Sequence, residues 1–285
     1  MSEPVYVVDP DDPRAPPQHV WDAMSEEARR RVLASLPSEI PRTLPPEGDA
    51  HSRPKWRARE ALDDWFRRRG RSVYLGSELP VYYPGERMFA PDLIAVLDVS
   101  GHERLSWVVS DEKRGLDFAL EILVSGDRKK DLEENVERLA RLGVPEYFVH
   151  EPLRRRITGF RLPQGARTYA PILPQGGRWT STVLDLQLGL DEGRLRFFAG
   201  AAPLPHAREL IDRLSSMVDE AVERAEEEAQ RAQDEAQRAQ DEAQRARDEA
   251  QRARDEAQRA DRATTRAERL AAKLRELGVD PDAIE

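Results

Sequence analysis

Asp92 and Glu121 are the residues whose types and positions can do chemistry. Each belongs to an apolar stretch: Asp92 stands just before residues 93–99 (LIAVLDV), and Glu121 lies inside residues 118–124 (FALEILV). Such runs predict neighbouring core strands. A carboxylate in the middle of one is costly to bury unless it is paired, protonated or bound to a cation. Two carboxylates on adjacent strands can hold a divalent cation that positions and activates water against a phosphodiester. The plainer alternative is an acid at a strand end that is solvated or salt-bridged.

The elements that must position this pair follow from the pattern around it. Residues 1–17, rich in Pro and Asp, predict an extended or poorly ordered start. Residues 19–36 carry Trp21, Met24, Ala28, Val32 and Leu36 at helical spacing and end at Pro37. Ser25 and Ala28 do not complete a capping box there. A Pro-rich linker over 37–50 leads to a second helix over about 54–69, with Trp56, Ala61, Leu62, Trp65 and Phe66 on one side and Gly70 at its end. Short apolar strands are predicted at 73–75, 79–83, 93–99, 105–109 and 118–124. A helix over 128–142 presents Leu132, Val136, Leu139 and Ala140, with Gly143 as its cap. Strands resume at 145–150, 157–162 and 182–188. The Glu121 strand, this helix and the Tyr147 strand form one βαβ unit with parallel pairing. The fold class is therefore α/β (α+β), a mixed sheet flanked by helices.

Bulk properties narrow the function classes. The net charge of −9 argues against a nucleic-acid binder held by a broad basic surface, while leaving room for a local basic groove. With no cysteine there are no disulfides, thiolate zinc sites or cysteine nucleophiles, which fits a reducing compartment. No signal-peptide pattern opens the chain and no run has the roughly 18 apolar residues of a membrane helix, so a cytoplasmic protein without membrane contact is expected. The five histidines are scattered without an i,i+4 pair, which disfavours zinc. The absence of GxxxxGK[ST] and GxSxG disfavours an NTPase or an α/β-hydrolase.

The last third is a different material. From Ala225 onward the heptads EAQRAQD and EAQRARD repeat, and alanines recur alternately every four and three residues to Ala260. Leu210, Leu214, Met217 and Ala221 lead in; Leu270, Leu274 and Leu277 close the stripe before Gly278 and Pro281. The helix would run on the order of 100 Å at 1.5 Å per residue. Asp234–Arg238 and Asp241–Arg245 have the favourable i,i+4 polarity, worth about 0.2–0.5 kcal/mol each. Each alanine methyl buries only ~0.8 kcal/mol against 1.5–3 for leucine, so helicity is strong and pairing energy per heptad small. Self-association or a partner helix through residues 208–277 is expected, with a solitary charged helix as the alternative. An antiparallel, close-packed pair is the expected arrangement, because small side chains let the backbones approach, while the number of chains is left open. The predicted domains are 1–36 (N-terminal extension and helix), 37–207 (the mixed-sheet domain that bears Asp92 and Glu121) and 208–285 (Ala-rich heptad coiled coil).

The order Ala90-Pro91-Asp92, then Asp117-Phe118-Ala119-Leu120-Glu121-Ile122, then Gly143-Val144-Pro145-Glu146-Tyr147-Phe148 resembles the Uma-type putative restriction endonuclease family, within the PD-(D/E)XK nuclease superfamily. The resemblance covers about residues 36–198. It implies a restriction-endonuclease-like core in which Asp92 and Glu121 bind metal, the Ile122 carbonyl adds a ligand, and Mg²⁺ or Mn²⁺ is the cofactor. It also marks departures. Asp131 matches the family's Asp, but Asn135 stands where a Lys is usual, and Leu123 stands at the X-K position after Glu121. Lys129 or Lys130 can stand in as the catalytic cation, and Lys113 or Arg114 can contact phosphate, with solvated surface cations as the alternative. Glu60 is a candidate for the metal shell and Glu78 an open one. The arginines in 67–71 (RRRGR) and 154–156 can touch phosphates or simply decorate a helix end and a turn.

Two readings follow. One is a Mg²⁺-dependent endonuclease acting on DNA phosphodiesters. The other is a catalytically degenerate nuclease fold that serves as a binding or scaffold module oligomerised by its coiled coil. They separate on whether the Asp92 and Glu121 carboxylates converge with a lysine ammonium in the same pocket.

Overall fold

A computed structural model describes residues 6–39, 48–124 and 128–278, with the side chain of residue 207 excepted. The chain divides into two compact units, Met1–Leu210 and Ile211–Glu285.

The first unit is a mixed α/β structure. Its helices are α1 (Gln18–Asp22), α2 (Glu26–Ser35), α3 (Asp49–Arg68), α4 (Val109–Glu112) and α5 (Asn135–Arg141). Its strands are β1 (Val73–Gly76), β2 (Val81–Tyr82), β3 (Leu93–Leu97), β4 (Trp107–Val108), β5 (Phe118–Ile122), β6 (Glu146–Glu151), β7 (Arg156–Arg161), β8 (Ala170–Ile172), β9 (Arg178–Ser181), β10 (Leu186–Asp191), β11 (Arg194–Ala199) and β12 (Ala202–Pro203). The central sheet has the order β1-β3-β5-β6-β7-β8. Only β5 and β6 pair in parallel within it, as the βαβ reading requires; every other neighbour is antiparallel.

All five residues of β3 and of β5 are buried, because the sheet is covered on both faces. On one face, Leu93, Ala95, Phe118, Leu120 and Phe148 pack with Ala58, Leu62 and Phe66 of α3 and with Leu186, Leu188 and Phe197 of the β12-β11-β10-β9 meander. On the other, Ile94, Val96, Ala119, Tyr147 and Val149 pack with Leu139 of α5 and with Val81 and Trp107 of a small parallel β2-β4 pair. Glu146, fully buried at the start of β6, ties the meander to the central sheet. Ser181 Oγ, Thr182 N and Oγ1, and the Arg161 guanidinium all donate to its carboxylate.

Several elements differ from the sequence expectations. The single helix expected over 19–36 is two, because Ser25 accepts from Ala28 N at 3.2 Å and caps α2. Of the first 17 residues, those described from Tyr6 on are docked at Arg14 and Ala15: Ala15 is fully buried, and the two residues bridge to Arg87 and Pro84. Helix α3 begins before Pro54, and Trp56 is exposed while Ala58, Ala61, Leu62 and Phe66 form its inner stripe. The expected strand over 105–109 keeps two residues and then turns into α4. The expected strand over 182–188 is displaced to β10, behind the unforeseen β9. Much of the 37–50 linker falls outside the described residues.

The second unit is formed by the long helix α6 (Ala207–Glu276), which enters it at Ile211. Asp234 and Asp241 accept from Gln230 and Gln237 at 2.8 Å rather than pairing with Arg238 and Arg245. The shorter amide reaches its i+4 partner first. Gly278, at φ 78°, ends the helix in the left-handed region open to glycine.

Candidate functional site

The antiparallel register of β3 and β5 builds the site. Leu93 is opposite Leu120 and Ile94 opposite Ala119. One step further along the same register sets Asp92 opposite Glu121. Strand alternation then sends both side chains to the face that Ile94, Val96 and Ala119 share, under the helix that follows β5. Asp92 and Glu121 are both buried. The Asp92 N–H donates to Glu121 Oε2 at 3.2 Å, and the Ile122 N–H donates to Asp92 Oδ2 at 2.6 Å. Each acid is thus clamped by the backbone beside the other.

The helix after β5 supplies the next layer. It opens with a wide π turn, Lys130–Glu134, in which the Asn135 N–H reaches back to Lys130 O. Such widened turns are frequent at functional sites. It buries Asp131, whose carbonyl accepts from the Tyr147 hydroxyl at 2.9 Å. Asn135 Nδ2 donates to Asp131 Oδ1 at 3.2 Å and to Glu121 Oε1 at 3.5 Å. Where the resemblance leads one to expect a lysine, a neutral amide therefore bridges the two carboxylates.

The electrostatic consequence falls on Glu121. Burial pushes its carboxyl well above the usual range, and the charges of Asp92 and Asp131 push it further. Lys130 works in the opposite direction. Its ammonium lies 4.0 Å from Asp131 Oδ1 at the rim, largely in solvent. Of the sequence-proposed cations, then, Lys130 is the one that acts on the acid cluster. Lys129 stands 3.9 Å from Glu134 and is exposed. Lys113 is exposed in a left-handed conformation at the end of α4. Arg114 pairs with Asp117 at 3.2 Å.

On the other side, α3 brings His51 and Lys55, one turn apart on one face. His51 Nε2 is 3.2 Å from Asp92 Oδ2. Lys55 is buried, and its ammonium meets Glu78 Oε1 at 2.5 Å. The Glu78 N–H donates to Pro91 O, so this pair braces the turn that delivers Asp92. Glu60 is exposed. Nine residues beyond His51, it lies roughly 180° round α3 from it, so the structure does not bring it to the pair. Neither His51 nor Lys55 stood out in the sequence. Their i,i+4 spacing with Arg59 reads as an ordinary polar helix edge, and only the tertiary contact distinguishes them.

The arginine clusters are engaged elsewhere. Arg67 pairs with Asp64, Arg69 with Asp185 while stacking on Trp65, and Arg71 with Asp98. Arg154 and Arg128 both face the buried Glu151.

Among the described residues, no three His, Cys, Asp or Glu side chains are arranged to hold a metal ion. Two carboxylates are nonetheless enough for the hardest of the divalent ions. Mg²⁺ is commonly bound through one or two carboxylates and keeps waters and substrate oxygens for the rest of its shell. The all-oxygen donor set of Asp92, Glu121 and the Ile122 carbonyl fits such an ion, whose charge would offset the burial and the neighbouring acids that disfavour ionised Glu121.

The sequence profile of the Uma2 family, described as "Putative restriction endonuclease", matches residues 29–193. A crystal structure of a putative nuclease belonging to DUF820 from Anabaena variabilis ATCC 29413 is similar at 14% identity and a TM-score of 0.39, over 49% of this chain and 75% of that one. No curated protein matches the chain. No helix among the described residues is long and apolar enough to cross a membrane.

Proposed function

Because the chain belongs to the Uma2 family of putative restriction endonucleases, we propose that it is a Mg²⁺-dependent endonuclease cutting DNA phosphodiesters at the Asp92–Glu121 site. The observation that carries this reading is the β3–β5 register, which sets two buried carboxylates opposite one another with a third acid, Asp131, behind them. The Asp92 and Glu121 carboxylates and the Ile122 carbonyl would hold the cation. When bound, that cation lowers the pKa of a water and polarises the scissile phosphate.

The chain's own groups do the rest. Asn135 donates to Glu121 and Asp131, fixing the orientation of both carboxylates without neutralising them. The Ile122 N–H and His51 both hold Asp92 at its Oδ2. Lys130, exposed at the rim, is free to swing from Asp131 to a phosphate oxygen and offset the charge that develops there. Deep burial of Glu121 keeps bulk water from screening these interactions.

A second reading rests on a specific observation. The position that would carry a fixed cation holds Asn135, and Leu123, at the other, is buried. A site of this kind can keep a metal and a nucleic acid without turning over, leaving a binding module. The two readings part on binding against cleavage. Mn²⁺ titrated into the full chain should lose its free-ion electron paramagnetic resonance signal, and Asp92→Asn should restore that signal. If the two proteins take up the ion equally, the site assignment fails. Uptake without DNA cleavage selects the second reading.

A further inference from the structure

We propose that α6 is the interface of a homodimer in which two copies of this chain pair in parallel and in register. The occupant follows from charge as well as apolarity. With Ala229 at a and Ala232 at d, the same heptad frame places exposed Ile211 and Val218 at d, exposed Val222 at a, and half-buried Leu274 at d. Ile211, Val218 and Val222 thus mark one end of the seam and Leu274 the other, with alanine at every a and d position from Ala225 to Ala260 and Thr264 beyond it; Leu210, Leu214, Met217, Leu270 and Leu277 fall at c or g in this frame, beside the seam.

The flanking positions specify orientation. Every g position from 228 to 256 is Glu: Glu228, Glu235, Glu242, Glu249 and Glu256. The corresponding e positions run Gln233, Gln240, Arg247, Arg254 and Asp261. In a parallel pair each g faces the next e of the other helix. Glu242 then meets the partner's Arg247 and Glu249 the partner's Arg254, and symmetry doubles both contacts. Glu228 and Glu235 meet neutral glutamines, and only Glu256 meets an acid. In an antiparallel pair g faces g and e faces e, so the glutamates oppose one another and the arginines do the same. The close antiparallel packing that alanine alone would allow is therefore opposed by charge.

The helix keeps these groups available. The f-position aspartates are occupied by their own chain, as Gln230, Gln237, Gln244 and Gln251 donate to Asp234, Asp241, Asp248 and Asp255 at 2.8–2.9 Å. Among the described residues Glu242, Arg247, Glu249 and Arg254 take part in no ion pair, although each is exposed. Parallel pairing also tethers both copies of residues 1–210 to the same end of the coil. Delivery of two cleavage sites together is a consequence that rests on the function proposed above; the pairing itself does not.

The cysteine-free chain suits a direct test. Full-length Val218→Cys and Ala260→Cys proteins, each at a d position, are oxidised separately and as a mixture. Light scattering is expected to give twice the chain mass. Each variant should form a reducible dimer alone, and the mixture should contain only 218–218 and 260–260 links. Predominant 218–260 links, or a mass of one chain or of more than two, would overturn the proposal. Glu242→Arg with Glu249→Arg should weaken dimerisation roughly tenfold or more, and mixing it with Arg247→Glu plus Arg254→Glu should recover the pair. Unchanged dimerisation of the swapped protein, with helicity retained by circular dichroism, would count against parallel pairing.

Discussion

Replacing Glu121 by Gln separates a site built for a cation from a carboxylate that merely happens to be buried. In the absence of a divalent ion, the Glu121 carboxyl is held above its usual range by burial and by Asp92 and Asp131. Between its unfolded and folded pKa the native chain then binds more protons than the unfolded one. Stability must fall as pH rises through that window, and the penalty is complete above it. Glutamine keeps the shape and an oxygen for the Asp92 N–H, but it cannot ionise. Glu121→Gln is therefore expected to melt above the wild type in chelator, by a margin that grows as pH is raised above the ordinary carboxylate range. Saturation with Mg²⁺ should reverse the order. A ligand present at 100 times its Kd stabilises the folded state by about 2.7 kcal/mol. For a unit of about 210 residues that corresponds to roughly 5–11 °C in Tm. The wild type should gain this increment and the variant little of it. Scanning calorimetry in chelator and across a Mg²⁺ titration reads both effects. A variant that melts below the wild type in chelator, or gains as much from Mg²⁺, would refute the reasoning.

Other perturbations test separate parts of the account. Asn135→Lys puts a cation between Glu121 and Asp131, and is expected to draw the Glu121 carboxyl back towards its ordinary range and raise DNA cleavage; carbonyl-region infrared titration and a nicking assay check the two halves. His150 is buried and its imidazole is pushed down to about 4 from 6.5, chiefly by desolvation. The unfolded chain takes up that proton first as pH falls, so stability should drop by about 3 kcal/mol between those two values. His150→Phe should remove this slope in urea titrations run across the same range. Gly159 lies under the Phe148 ring, where an added Cβ would sit 2.6 Å from Cε1. Gly159→Ala should cost about 1–3 kcal/mol by denaturant unfolding through overpacking, with little change in Mg²⁺ affinity.

The sequence exposed the strands that bear the acids because burial on both faces leaves an uninterrupted apolar run, against which one Glu is conspicuous. The parallel β5–β6 pair was readable for the same reason, since a strand, an amphipathic helix and a strand in that order admit few topologies. What one chain segment cannot show is what arrives from elsewhere. His51 and Lys55 belong to an amphipathic helix and gain meaning only when α3 packs across the start of β3. In the β9–β12 meander, β9 and β12 were obscured because they are short and mostly exposed, and β11 because Arg194 and Arg196 interrupt its apolar run, although Leu186, Leu188, Leu195 and Phe197 carry the packing on the sheet. Asn135 was visible as a missing charge, but its bridge between Glu121 and Asp131 depends on the π turn, which helical periodicity does not announce. The long helix was evident, while the orientation of any pairing lay in its e and g charges and not in the alanine stripe.

The central claim, that Asp92 and Glu121 form a cation-dependent cleavage site, is tested most directly by nicking of supercoiled DNA under Mg²⁺ titration, with wild type and Glu121→Gln side by side. The account predicts Mg²⁺-dependent cleavage by the wild type and a loss of at least about a hundredfold in the variant. Equal cleavage by the two proteins would contradict it.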